Sequence, residues 1–171
     1  MEKFKNKALA NIISDMAKVD QLERKRFRQK QKLYSGLAKS DMARSRQMKR
    51  IVNKYGWPTK KLVGKRASHF AWLLVQHADN DVKFQEFCLK LIKEAGGNDA
   101  ITKRQIAFLT DRVLVNKGEP QIYGTQFYVD KSGKIIPRPI FDSLHLDNRR
   151  KIIGLESFKE YKMEIERGVK K

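Results

Sequence analysis

The stretch WLLVQHADND, residues 72–81, closes an apolar run with a histidine and two carboxylates. His77 with Asp79 or Asp81 is the kind of set that does general acid–base chemistry. A carboxylate fixes the tautomer of an imidazole and strengthens it as a base. His77 and Asp81 are four residues apart and share a face if the helix runs on. A plain helix-to-helix corner, capped by Asp79 or Asn80 with His77 hydrogen-bonded nearby, accounts for the same residues. Asp79, Asn80 and Asp81 also open like a calcium loop. Lys83 and Glu86 then stand where the next oxygen ligand and the turn glycine belong. The chain has no HExxH and no CxxC, so no metal motif is assigned and the cofactor is left undetermined.

A second concentration of polar groups is DRVLVNKGEPQIYGTQF, residues 111–127. Arg112 lies in an apolar helix, and Gln121, Tyr123, Thr125 and Gln126 crowd around Gly124. A glycine in a strand lets a backbone or a ligand approach closely. Buried amides and hydroxyls need partners, and these are either loop backbone groups or a polar ligand. Asp20, Gln21 and Arg24 form a third group on one helical surface, where an Asp–Arg pair four apart is often only solvated. In LDNRR, residues 146–150, Arg149 or Arg150 either clamps an anion or pairs with Asp147. There is no GxSxG, Walker A loop or GxGxxG. Cys88, the only cysteine, sits in FQEFCLKLI, where it reads as a small hydrophobe.

The elements that must position these residues are mostly helices. Phe4, Ala8, Ile12, Met16, Val19 and Leu22 recur at spacings of three and four, which predicts one long helix over 3–34. Ser40 or Asp41 caps a second over roughly 41–55, ended by Gly56 and Pro58. A third runs from about Val63 to Ala78, a fourth over 81–95 and a fifth over 102–116. Residues 121–140 then read as a β-hairpin around DKSG, with Pro137 and Pro139 limiting the return strand. Two helices, 146–153 and 156–167, close the chain. The fold class is mainly α (α+β). One domain over 1–171 is expected, with a basic part, 1–55, before a motif-bearing core, 56–165.

The charge supports that division. Of 171 residues, 38 are Lys or Arg and 19 are Asp or Glu, a formal net charge of +19. Residues 1–70 hold 20 cations and 5 anions, while 71–171 hold 18 and 14. Such a field attracts polyanions. The longest apolar run, FAWLLV at 70–75, is far short of a membrane span. A cytoplasmic protein without a membrane segment is expected.

Taken together, DQLER (20–24), GWPT (56–59), AWLLVQHADND (71–81), LTDRVLVNKGEPQIYGTQ (109–126), PRPI (137–140) and LDNRRKIIGL (146–155) resemble a bacterial domain family of unknown function. The resemblance covers about residues 16–162 and implies shared residues, namely Asp20, Gln21, Arg24, Trp57, Gln76, His77, Asp79, Asp81, Arg112, Gln121, Tyr123, Gly124, Thr125 and Gln126. It implies no reaction. The chain departs from the family pattern in its basic N-terminal part and in Phe141, where an acidic residue is expected.

Two functions stay open. One is a hydrolase or transferase acting on an anionic or nucleotide-like ligand, with the QHADND corner brought against the YGTQ hairpin. His77, Asp79 and Asp81 are its catalytic set. Gln76, Arg112, Gln121, Tyr123, Thr125, Gln126, Asp20, Gln21 and Arg24 are its ligand-binding set. The other is non-sequence-specific nucleic-acid binding by Arg24, Arg26, Arg28, Lys30, Lys32, Arg44, Arg46, Lys49 and Arg50, with the phosphates as targets.

Overall fold

A computed structural model of the chain describes residues 5–30, 34–96 and 100–169. Among them are seven α-helices: α1 (Lys7–Lys30), α2 (Tyr34–Tyr55), α3 (Lys60–Gln76), α4 (Val82–Glu94), α5 (Ala100–Asn116), α6 (Leu146–Ile152) and α7 (Phe158–Val169). An antiparallel hairpin joins β1 (Phe127–Val129) to β2 (Ile135–Pro137). The mainly helical α+β class expected from the sequence is the one adopted. Contacts gather the chain into two compact units, Met1–Ala95 and Gly96–Lys171.

In the first unit α1 packs on α2 and α3, and α3 packs on α4. The buried face of α1 is Leu9, Ala10, Ile13, Met16, Ala17 and Asp20. Most of the stripe expected from the sequence lies outside: Ile12, Val19 and Leu22 are 46%, 51% and 56% exposed, and Phe4 falls outside the described residues. The helix has apolar residues on two adjacent stripes. The buried one carries small residues, Ala10 and Ala17, and small residues let a neighbouring helix come close.

The second helix begins at Tyr34, a full turn and more before the expected start, so Ser40 and Asp41 are not caps. They sit inside the helix, and their side chains bind partners on α1 instead. Gly56, at φ +70°, ends α2 in the left-handed conformation that L side chains rarely adopt. Thr59 caps α3, its hydroxyl accepting from the Leu62 N–H at 3.3 Å. At Gly64 (φ 80°, ψ 162°) α3 breaks and restarts, a conformation open essentially only to glycine. The helix stops at Gln76 with His77 as its C-cap. The Asp81 carboxylate, rather than Asp79 or Asn80, caps α4 by accepting from the Phe84 N–H at 3.1 Å.

In the second unit the small hairpin expected within 121–140 forms as two strands of three residues, with the register Tyr128 to Ile136. The N–H groups of Ile122, Tyr123, Thr125 and Gln126 turn to side chains of Asp111 and Gln121, and Gln121 keeps an isolated bridge to Ile140. No described helix is long and apolar enough to cross a membrane.

Candidate acid–base site

Asp20 stands on the buried face of α1 with its side chain fully enclosed. One oxygen, Oδ2, accepts from Gln21 Nε2 at 2.7 Å and lies 2.9 Å from Nδ1 of His77. The other, Oδ1, accepts from Arg24 Nε at 3.0 Å, with Arg44 Nε at 3.4 Å. A buried carboxylate needs such compensation. Burial alone would raise its carboxyl; the hydrogen bond and charge of His77, the charge of Arg24 and the Gln21 amide hold it below the usual carboxylate value.

The same cations are shared outward. Asp41 Oδ1 accepts from Arg24 Nη2 and Arg44 Nη2, both at 2.7 Å. Glu23 accepts from Arg44 Nη1 at 2.7 Å and from the Ser40 hydroxyl at 3.3 Å. Three carboxylates and two guanidinium groups thus bind α1, α2 and the end of α3 together around the imidazole.

His77 keeps 18% of its side chain exposed. Its Nδ1 faces Asp20 and also lies 2.9 Å from Arg24 Nε. With a proton on Nδ1, the ring donates to Asp20 and Arg24 turns its N–H to Asp20 Oδ1. Without it, Arg24 donates to the ring. Nε2 makes no hydrogen bond among the described residues, so its lone pair is the unspent one in the Nδ1–H tautomer. The neighbouring Gln76 is buried, and its Nε2 has no partner among the described residues.

The orienting carboxylate is therefore Asp20, not Asp79 or Asp81. Asp79 Oδ1 accepts from the buried Gln85 amide at 3.2 Å. Asp81 caps α4 with one oxygen and pairs with Lys49 through the other. The reason is the corner itself. The α3 helix ends at Gln76, so the four-residue spacing of His77 and Asp81 no longer places them on one face. Among the described residues, no three His, Cys, Asp or Glu are grouped to hold a metal ion.

The polar residues of the second unit surround Asp111, a fully buried group that the sequence reading did not single out. Its Oδ1 accepts from the N–H groups of Ile122 and Tyr123 at 2.8 and 2.9 Å. Its Oδ2 accepts from the Thr125 N–H and hydroxyl, both at 2.9 Å. Burial raises this carboxyl above the usual value, although those donors pull it down. Gln121 donates to the carbonyls of Gln126 and Arg138 and accepts from the Gln126 N–H. Gln126 donates to the Thr125 hydroxyl and accepts from Arg112 Nη1 at 2.9 Å. These side chains fasten a loop onto α5. Burial raises the Tyr123 hydroxyl, with the Asp111 charge adding to it and Arg149 opposing.

Gly124 (φ +68°) does admit a close neighbour. That neighbour is the Phe158 ring, 2.9 Å from where a Cβ would stand. Arg149 and Arg150 grip backbone carbonyls, and the carboxylates near them are the chain's own, Asp142 at 3.5 Å and Glu156 at 3.8 Å. Arg149 donates to the Ile122 carbonyl, and the buried Arg150 to the carbonyls of Tyr123 and Glu156. Asp147 accepts from the Phe158 N–H at the start of α7.

The basic helices divide in two. Arg24 and Arg44 are turned into the carboxylate network and Lys49 onto Asp81. Arg26, Arg46 and Arg50 are exposed. The side chains of Arg28 and Lys30, and the whole of Lys32, lie outside the described residues.

A helical protein with a histidine anchored on a buried carboxylate, and a second buried carboxylate organising a loop, is the class that fold and site define. The chain belongs to a family of unknown function, DUF6624, whose model matches residues 3–170. The match takes in α1 and α2 as well as both polar clusters. No curated protein and no solved structure matches it.

Proposed function

We propose that the chain is an acid–base catalyst, a hydrolase or transferase of a small anionic or nucleotide-like ligand, with His77 as its base and Asp20 as the residue that orients it. The observation that carries this reading is the asymmetry of the imidazole. Nδ1 is held at 2.9 Å by a fully buried carboxylate, while Nε2 has no partner among the described residues. In the Nδ1–H tautomer, Nε2 takes a proton from a water or a ligand hydroxyl, giving an imidazolium that Asp20 stabilises. The same proton then passes to the leaving group. In both charge states Nδ1 keeps its proton, donated to Asp20, and Arg24 acts through the carboxylate, donating its Nε–H to Asp20 Oδ1 at 3.0 Å. The unpartnered amide of Gln76 supports a ligand that brings an acceptor, because a buried donor without a partner costs about 1–3 kcal/mol.

The test is turnover of a panel of phosphomonoesters, phosphodiesters, nucleotides, esters and amides. The expected result is turnover of at least one class by the wild type, reduced about 100-fold or more in His77→Gln. Asp20→Asn should lower it too and shift its pH profile. Turnover undiminished in His77→Gln, or none by the wild type on any class, sinks the reading. The nucleic-acid alternative keeps Arg26, Arg46 and Arg50 as its exposed cations, and a steep fall of binding with salt is its signature.

A further inference from the structure

Between α1 and α2 runs a groove of about 550 Å³. Its aliphatic lining is Ile12, half-exposed, with the exposed Ala8 and Ala43 and the buried Leu9 and Ile51. Along its α2 side stand Arg46, Arg50 and Lys54, all exposed. They are four residues apart, so they rise along the helix in steps of about 6 Å.

Two observations say what this row is for. First, the acids of α1 and α2 are already used. Asp20, Glu23 and Asp41 are bound by Arg24 and Arg44, and Asp15 pairs with Lys18. The three rim cations pair with no acid among the described residues, so their charge is free to meet an anionic partner. Second, the apolar side of the groove is aliphatic and partly uncovered. Ile12 is 46% exposed, and Ala8, one turn before it, is exposed as well. Its bordering aromatic ring, Tyr55, already has the Lys54 ammonium 5.1 Å from its centroid. That ring is a poor stacking platform for a base, and base stacking is what single-stranded nucleic acid needs beyond charge.

We infer that the α1–α2 groove docks an acidic amphipathic helix of a partner protein, with Arg46, Arg50 and Lys54 meeting its carboxylates and Ile12, Ala8 and Ala43 meeting its apolar face. A helix with Asp or Glu at every fourth position presents charge at the same step of about 6 Å. An apolar stripe offset by three residues, about 60° around that helix, then falls on the aliphatic side of the groove. The residues involved are separate from His77 and Asp20.

The experiment is fluorescence anisotropy with the full chain and three labelled probes. The first is a stapled helix of about four turns with Leu on one face and Glu along its edges. The second has the same composition in scrambled order, and the third is a single-stranded RNA oligomer. The expected result is saturable binding of the first probe, tighter than of the second. The combined Arg46→Glu, Arg50→Glu and Lys54→Glu variant should weaken it about ten-fold or more. Ile12→Ser should weaken it several-fold, and His77→Gln should leave it unchanged. The milder set Arg46→Gln, Arg50→Gln and Lys54→Gln gives the same direction should charge reversal upset the fold. Equal binding of the scrambled probe overturns the inference, as does no saturable binding of the first. RNA binding that exceeds the peptide's and ignores Ile12→Ser also overturns it and makes the row a phosphate track.

Discussion

Oδ2 of Asp20 stands 2.9 Å from Nδ1 of His77, and 57 positions of sequence separate the two residues. The contact exists because the buried face of α1 ends in a carboxylate and the α3 helix ends in an imidazole. Arg24, one turn beyond Asp20, touches both and reaches on to Asp41 of α2. Three helices are therefore fixed at one point by charge.

Truncating that point should be costly. Asp20→Ala leaves Arg24 and Arg44 short of a carboxylate in a buried place, and breaking such a pair costs about 3–5 kcal/mol. Asp20→Asn keeps one acceptor oxygen and should cost less. Urea unfolding followed by circular dichroism measures both. A loss for Asp20→Ala below about 1 kcal/mol would show that the network does not hold the helices together.

Asp20 also sets an acid limit. Its carboxyl is held below the ordinary value, which is about 3.9 in an unfolded chain. The unfolded state then binds the proton first. The stabilisation is complete above that ordinary value and is lost as pH falls through the lower folded one. The stability gap between wild type and Asp20→Asn should therefore be widest near neutrality and shrink in acid. A gap independent of pH would contradict the ion pairing.

Asp111 should govern the loop that follows α5. Asp111→Ala withdraws the acceptor from the N–H groups of Ile122, Tyr123 and Thr125. Leaving buried donors unmet costs about 1–3 kcal/mol each, without simple additivity. Hydrogen exchange should accelerate at those three amides before it does at α5. Uniform acceleration over the unit would mean that Asp111 supports the whole and not the loop.

Gly124→Ala meets two obstacles, a φ of +68° and the Phe158 ring 2.9 Å from the new Cβ. A non-glycine residue in such a conformation costs about 1–3 kcal/mol, and ring displacement adds to it. The thermal midpoint should fall, and Phe158→Leu in the same chain should recover only the steric part. Full recovery would show that the backbone angle carries no penalty.

Cys88 should be inert while the chain is folded. Burial pushes its thiol up to about 12, with the Asp81 charge adding to this and the Lys49 ammonium opposing it. Thiolate is the reactive form, so iodoacetamide should label Cys88 in urea and not in native buffer. Rapid native labelling would show that α4 opens readily.

Helix positions and the polar residues worth watching were legible in the sequence, and most partnerships were not. The extent of α4 agrees with the helix read over 81–95, and Gly96, at φ +63°, stands just past its end. The α1 face was misread because two apolar stripes lie side by side, and periodicity ranks both alike. Asp41 looked like a cap because caps and helix-interior acids share residue types. Its true partners, Arg24 and Arg44, sit on two helices. Arg44, three residues on, was the local hint. Asp111 stood unremarked beside Arg112, although a buried acid ahead of a loop rich in N–H groups is a natural anchor.

By itself, the sequence determined a helical chain with a short hairpin, an excess of positive charge in its first 70 residues and a histidine at the end of an apolar helix. These follow from local preference and composition, which need no knowledge of distant contacts. Only the tertiary structure decided which carboxylate meets His77, that Gly124 makes room for Phe158, and which cations are spent inside and which face outward. Those outcomes depend on how helices far apart in sequence pack. A buried charge pairs with whatever opposite charge the packing brings within about 3 Å, at whatever sequence separation.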